Sequence, residues 1–399
     1  MNNKLEDKRI LKVLTANILL RAAKIIFSIF LNIYIWKISG DIRLVAIYNL
    51  VYLSSHTIFF LIGAKVVKNG YRTISHVGSL IGYALVSLSI VILRENTINY
   101  IFYIGFFVGI FNGWYWITYH NNQFELTHYH NRGNYEGLKH VGDKLVKIIV
   151  PSFIGVIISL NYFGLGYEIA FSFSTIFLLL AAFVGKIKID EKDKVKYDFG
   201  RLVKRVFKNK RIMVSLFGYT LTGFSFSNSL LEVIIPILLF SYIGSEAGLG
   251  FLVSFFAIAS IIGAYIFGKY VSYKYYKYSL LVSGFIYGIS LFGFIEIGVL
   301  KYMVIFSALI NFVSVFFSIP QKVTSDSVLH DIKDYKNYRS EYMVLREIFL
   351  AVGWIGSYTC IYIIGSLEIE QVRIIFYFMI GAIFLSAFSL SRINIHREK

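Results

Sequence analysis

The sequence predicts an all-α polytopic membrane protein: twelve transmembrane helices in two pseudo-repeated six-helix bundles. Three observations carry that expectation. Hydrophobic residues make up 57% of the 399 and charged residues 16%, with a mean hydropathy of +0.65, against roughly 45–50% and about 25% in soluble domains. Twelve windows approach the roughly 20 apolar residues that cross a hydrocarbon core. Two segments recur at offsets of 205 and 207 residues. This much apolar surface excludes a soluble enzyme, since exposed patches above a few hundred Å² drive association. The single cysteine, Cys360, excludes an intrachain disulfide.

The predicted spans lie near 13–37, 45–65, 74–93, 98–120, 137–160, 165–185, 211–240, 247–268, 279–297, 301–320, 342–365 and 371–391. Ahead of the first stand Lys4, Lys8, Arg9 and Lys12. The apolar stretch that follows is too long for a signal peptide and lacks a small-residue cleavage site, so it reads as a retained helix. The fourth span ends in the polar run His120, Asn121, Asn122, Gln123. The seventh is long and contains Ser225, Ser227, Asn228, Ser229 and Pro236. Between spans six and seven, Lys186 to Arg211 holds eleven basic and four acidic residues. The chain therefore divides into an N-terminal bundle (1–185), a basic linker (186–210) and a C-terminal bundle (211–399). The linker reads either as solvated chain or as a basic amphipathic helix on an anionic leaflet.

Lysine and arginine set the orientation. With the N-terminus inside, the two tails and the even-numbered loops hold 31 of the 40 basic residues, and the outer side holds five. This positive-inside bias places both termini in the cytoplasm. It also accounts for most of the +17 net charge without a nucleic-acid partner.

The repeat rests on two landmarks. The loop after span two reads GAKVVKNGYRT from Gly63, and the loop after span eight reads GKYVSYKYYKY from Gly268; Arg72 matches Lys277. At the starts of spans five and eleven, Arg132, Tyr135, Leu138 and Lys139 match Arg339, Tyr342, Leu345 and Arg346. Parallel repeats of this kind build transporters from two bundles around a midplane site.

With these residues the chain resembles the major facilitator superfamily. The pattern of that superfamily between spans two and three fits at Gly63, Lys68, Gly70 and Arg72, while Val67 and Ser272 stand where it places an aspartate. Of its span-five antiporter signature, Pro151 and Gly155 remain. The stretches FLNIYIWKISGD, NGWYWITYH and EYMVLREIFL resemble a Gram-positive bacterial subgroup. The resemblance implies the fold, transport across the bacterial cytoplasmic membrane, and a pathway lined by spans one, four, seven and ten.

Ionisable groups inside a membrane are costly and usually face a cavity or a partner. Arg21 and Lys24 share one face of span one, and Asp143, Lys144 and Lys147 lie on span five. One reading places Arg21, Lys24, Lys144 and Lys147 around a central cavity that favours an anionic or zwitterionic substrate; the other is snorkelling toward the cytoplasm. Asp143 can pair with Lys147 four residues on, or serve proton coupling, as can Glu232 on span seven. Asn112, Trp116 and Tyr119 share a face of span four and form either an aromatic substrate wall or an interfacial belt. Arg132, Tyr135, Arg339, Tyr342, Arg346 and Glu347, with the loop residues Gly63, Gly70, Arg72 and Gly268, are candidate gating residues. His120, His128 and His130 lack the helical spacing of a metal site.

No phosphate-cradling loop, HExxH pair or serine elbow occurs, so the expectation is a transporter without enzymatic activity, cofactor or metal. Membrane lipids and a small-molecule substrate are its expected partners, and a monomer its expected state. Alternatives on the same scaffold are a lipid or amphiphile translocase and a non-transporting membrane sensor or assembly factor.

Overall fold

A computed structural model describes residues 8–127, 129–187, 197–226, 231–332 and 335–393. Helices form all twelve spans. They run Lys8–Ser39, Ile42–Lys68, Arg72–Leu93, Ile101–Leu126, Tyr129–Leu160, Gly166–Val184, then Lys210–Ser225 with Leu231–Ile243 as the seventh. The remainder are Glu246–Tyr270, Tyr276–Ile297, Leu300–Leu329, Arg339–Ile364 and Ile369–Ser391. Among the described residues, nine helical stretches are long and apolar enough to cross a membrane by themselves, one of them joining spans three and four. Span five is not among them, because Lys139, Asp143, Lys144 and Lys147 interrupt its middle.

Several helices outrun their apolar windows. Span two continues to Lys68 and span ten to Leu329. Gly63 therefore lies inside its helix, whereas Gly268 stands in the last turn of its own. Span seven departs from the expected single helix. It breaks at Phe226, and its second piece begins at Leu231. Ser227, Asn228 and Ser229 lie outside the described residues.

Span one contains a π-helical segment, Ile26–Leu31, just past Lys24. Asn32 follows it, donating to the Ser28 carbonyl at 2.8 Å and accepting from Asn49 Nδ2 of span two at 2.7 Å. Both asparagines are buried.

The chain forms two compact units. The first comprises Met1–Gly40, Ile47–Tyr197 and Gly244–Ser254; the second comprises Asp41–Ala46, Asp198–Ile243 and Phe255–Lys399. In the first, span one packs on spans five and six, and span three on spans four and six. In the second, span seven packs on eleven and twelve, and span nine on ten and twelve. The pairings repeat at an interval of six spans, so the repeat holds in three dimensions. Each core has its own aromatic cluster. Phe27 stands edge-on to Tyr83 at 4.9 Å and to Phe171 at 5.8 Å; Phe226 meets Tyr287 at 5.1 Å and Phe317 at 5.2 Å.

The linker contributes a short helix, Phe199–Val206, to the second unit. Asp198 caps it by accepting from the Arg201 amide at 3.0 Å, Leu202 and Val206 are buried, and Arg201 and Lys204 are exposed. Its start is tied to span eleven, where Glu341 accepts from the Asp198 amide at 3.1 Å.

Candidate functional site

The site is built on a glycine stripe. Gly105, Gly109 and Gly113 repeat at four-residue intervals along one face of span four, the small-residue pattern that lets membrane helices approach backbone to backbone. Span two lies against them. A Cβ at Gly105 would stand 2.8 Å from the Tyr48 carbonyl, one at Gly109 would overlap Ser55 Oγ and the Tyr52 carbonyl, and one at Gly113 would overlap the His56 carbonyl. The face of span two that meets this stripe carries Tyr48, Tyr52, His56 and Phe60, also at intervals of four, with successive rings 5.9–6.3 Å apart.

This close approach brings Asn112 onto span two. Its Nδ2 donates to Tyr52 Oη at 3.0 Å and lies 2.9 Å from His56 Nδ1, while its Oδ1 accepts from Trp116 Nε1 at 3.1 Å. Asn112 and His56 are buried, 2% and 4% exposed. Trp116 in turn carries two cations from span one. The Arg21 guanidinium lies 4.6 Å from its ring centroid and the Lys24 ammonium 5.3 Å. Such contacts are worth about 0.5–1 kcal/mol when exposed and about 2 when desolvated.

Span five closes the network. Gly142 offers no side chain against Ile18 of span one, where a Cβ would overlap Ile18 Cδ1. One turn along, Arg21 Nε meets Asp143 Oδ1 at 3.6 Å. Asp143 thus pairs with Arg21 across the helix pair, and not with Lys147 along its own helix. Lys147 is exposed, and Lys144, about 100° round the helix, is half-buried. Arg21, His56, Asn112 and Asp143 all lie near the midpoints of their helices.

Toward the next turns of spans four and five, the hydroxyls of Tyr119 and Tyr135 share a hydrogen bond at 2.8 Å, and Lys139 lies 5.5 Å from the Tyr119 ring. Lys139 also meets Glu136 at 3.5 Å, and Glu136 accepts from Gln123. The second unit repeats the arrangement. At the offset of 207, Tyr119 becomes Asp326 and Lys139 becomes Arg346; these two meet at 3.8 Å, with Arg346 5.6 Å from the Tyr219 ring. Asp326 is thus a carboxylate partner of Arg346, with Glu347 next to the arginine in the chain. Tyr342, like its counterpart Tyr135, is buried.

The other sequence candidates disperse. Glu232 is exposed in the first turn of Leu231–Ile243. Gly70 takes a positive φ of 98° in the turn before span three. Arg72 is buried beside Glu125 at 3.5 Å, whereas its match Lys277 is exposed. Gly63 abuts Trp114 and Ile117, whereas Gly268 has open space around it. Val67, where the superfamily pattern has aspartate, is 1% exposed. The side chains of Arg132, His128 and His130 lie outside the described residues, and Arg339 opens span eleven. Among the described residues, no three His, Cys, Asp or Glu side chains are grouped to hold a metal ion.

Two polar centres escaped the sequence reading. His56 is one; its signal was the four-residue aromatic stripe facing a four-residue glycine stripe. The other is Glu246, 5% exposed in the first unit, which accepts from Lys37 Nζ at 2.7 Å and Tyr167 Oη at 2.9 Å.

No family model matches the chain. It is 26% identical over 377 residues to the uncharacterised protein YqgE of Bacillus subtilis (strain 168), covering 92% of this chain and 85% of that protein. A shorter similarity, 27% over 142 residues, links 36% of the chain to 66% of an uncharacterised Geobacillus stearothermophilus protein in the sodM 3′ region. Among solved structures, it resembles the nucleoside transporter NupG (TM-score 0.68, 13% identity, 100% of both chains). It also resembles a bacterial homologue of the iron transporter ferroportin in its outward-facing state (TM-score 0.67, 14% identity, 97% and 98% of the two chains). A bacterial metal transporter aligns at TM-score 0.64 and 13% identity over 97% of each chain. The fold is that of the twelve-span major facilitator transporters.

Proposed function

We propose that the chain is a secondary transporter working by alternating access, and that its substrate is a small molecule bearing an anionic group. The fold shared with nucleoside and metal transporters supports transport as the activity class, with the substrate moved and not chemically changed. The observation that carries the substrate class is the pair Arg21 and Lys24, two cations at mid-span over one indole, with Asp143 as their neighbouring carboxylate. The Arg21–Asp143 contact, at 3.6 Å, is longer than a charge-assisted hydrogen bond, so an incoming carboxylate or phosphate competes for the guanidinium on favourable terms. Asn112, Trp116 and Tyr119 form the wall, and Lys144 and Lys147 add positive potential from span five.

In this reading the N-terminal bundle (1–185) and the C-terminal bundle (211–399) are the moving parts, joined by the linker 186–210. Tyr135 with Lys139, and Tyr342 with Arg346, steady the ends of spans five and eleven. The basic bias of the even-numbered loops supports a cytoplasmic position for both termini in a bacterial cytoplasmic membrane. The protein acts as a monomer.

The test is a thermal-shift screen of purified wild type and Arg21→Ala against anionic, cationic and neutral metabolite pools, then lipids. An anion that stabilises wild type and leaves Arg21→Ala unmoved is the expected outcome. Stabilisation by cations alone, or equal stabilisation of both proteins, refutes the anion site. A response to lipids alone replaces it with the translocase reading.

A further inference from the structure

We propose that His56 is a proton-binding site whose charge state sets the hydrogen bonding of Asn112 and, through it, the hold of Trp116 on Arg21 and Lys24. The inference rests on the transporter reading above and adds a coupling proton to it. An indole N–H donates and cannot accept, so the amide atom of Asn112 that faces Trp116 is its oxygen. That assignment turns the amide nitrogen toward span two, where its two hydrogens meet Tyr52 Oη and His56 Nδ1. His56 Nδ1 therefore accepts, and in this state the imidazole is neutral, with its proton on Nε2.

A second proton has to go to Nδ1, which sets N–H against N–H at 2.9 Å. The relief available within the network is a half-turn of the Asn112 amide. Its oxygen then accepts from His56, and its nitrogen confronts the indole N–H of Trp116, two donors face to face. Trp116 loses its tether, and with it the fixed ring over which Arg21 and Lys24 rest. Protonation at His56 thus loosens the ring under Arg21 and Lys24 on the neighbouring helix, and an anion that binds better to that loosened arrangement favours the protonated His56 by the same factor, since coupling between two binding events is reciprocal. The proton offsets the charge of the anion, which is the stoichiometry of proton–anion cotransport.

The titratable and charged groups facing this network are Tyr52 on span two, His120 on span four with its ring 5.6 Å from Trp116, Arg21 and Lys24 on span one, and Asp143 and Lys139 on span five. Of these His120 is the second imidazole and lies against the reporter ring, so the test removes it.

The chain has four tryptophans. Trp36→Phe, Trp114→Phe and Trp354→Phe leave Trp116 as the only reporter in the full-length protein, and His120→Gln removes the adjacent imidazole. The emission of Trp116 in lipid nanodiscs is followed from about pH 4.5 to 8.5, the range around ordinary histidine titration. The expected result is a single one-proton transition that disappears on adding His56→Gln, and also on adding Asn112→Leu, which cuts the connection and leaves His56 in place. If His56→Gln does not fold, Asn112→Leu alone decides. A flat curve in the starting protein, or a transition that survives either change, overturns the proposal. No substrate enters the measurement, so a flat curve here and silence in the ligand screen are separate failures.

Discussion

Replacing Gly109 with alanine tests the foundation of the site. In an ordinary helix this change helps by about 1 kcal/mol, because glycine is the poorer helix former. Here the added methyl overlaps Ser55 Oγ and the Tyr52 carbonyl and stands 2.8 Å from the His56 amide nitrogen. Comfortable contact needs roughly 3.5–4 Å, so spans two and four must part by on the order of 1 Å. Overpacking of that kind costs about 1–3 kcal/mol, which leaves a net loss of about 1 kcal/mol. The same displacement stretches the 2.9 Å Asn112–His56 contact beyond hydrogen-bonding range. Gly78 on span three is the control, since a Cβ there meets nothing within 4 Å. Thermal unfolding in detergent should therefore order the proteins Gly109→Ala below wild type and wild type at or below Gly78→Ala, and the Trp116 pH transition should be lost in Gly109→Ala only. A Gly109→Ala protein that melts with or above Gly78→Ala would falsify the claim that these helices touch at backbone distance.

Three further outcomes are expected. Asp143→Asn removes the carboxylate beside Arg21 and keeps both cations, so any anion that stabilises wild type should stabilise this variant at least as strongly in the thermal-shift assay; loss of binding would assign Asp143 to substrate contact. Lys37→Ala should destabilise more than Glu246→Gln, because the first strands a buried carboxylate with Tyr167 and the second leaves a half-exposed ammonium to water; equal melting temperatures contradict the buried-charge account. A reporter fused after residue 399 should be active in the cytoplasm, and an external signal would make the span count odd and undo the repeat.

Much of this was legible in the amino-acid order because it follows from composition and spacing. Twelve apolar windows and two landmarks at nearly one offset suffice for the bundle plan, and the six-span periodicity of helix pairings follows from them. Arg21, Lys24, Asn112, Trp116 and Asp143 converge because charges and amides inside lipid have few places to go except toward each other. What was hidden depends on which helices touch. The i,i+4 spacing of Asp143 and Lys147 invites a pairing along one helix, yet Gly142 brings span one near enough for Arg21 to take the carboxylate. His56 reads as an ordinary core histidine until the glycines of span four are seen against it. Span seven reads as one helix because composition alone does not report a break at Phe226.

The π-helical turn in span one also makes it longer in residues than in height. Ile26–Leu31 accommodates one residue more than an α-helix would over the same rise. This is a local reserve of sequence length. A chain shortened by one residue within that segment can relax to α-helix, leaving the flanking faces in phase, with Arg21 and Lys24 on one side and Tyr34 and Lys37 on the other. A deletion elsewhere in the span, between Arg21 and Ile26 for instance, rotates one flank against the other by about 100°. Span one should therefore vary in length at a single place, just beyond the cations it presents.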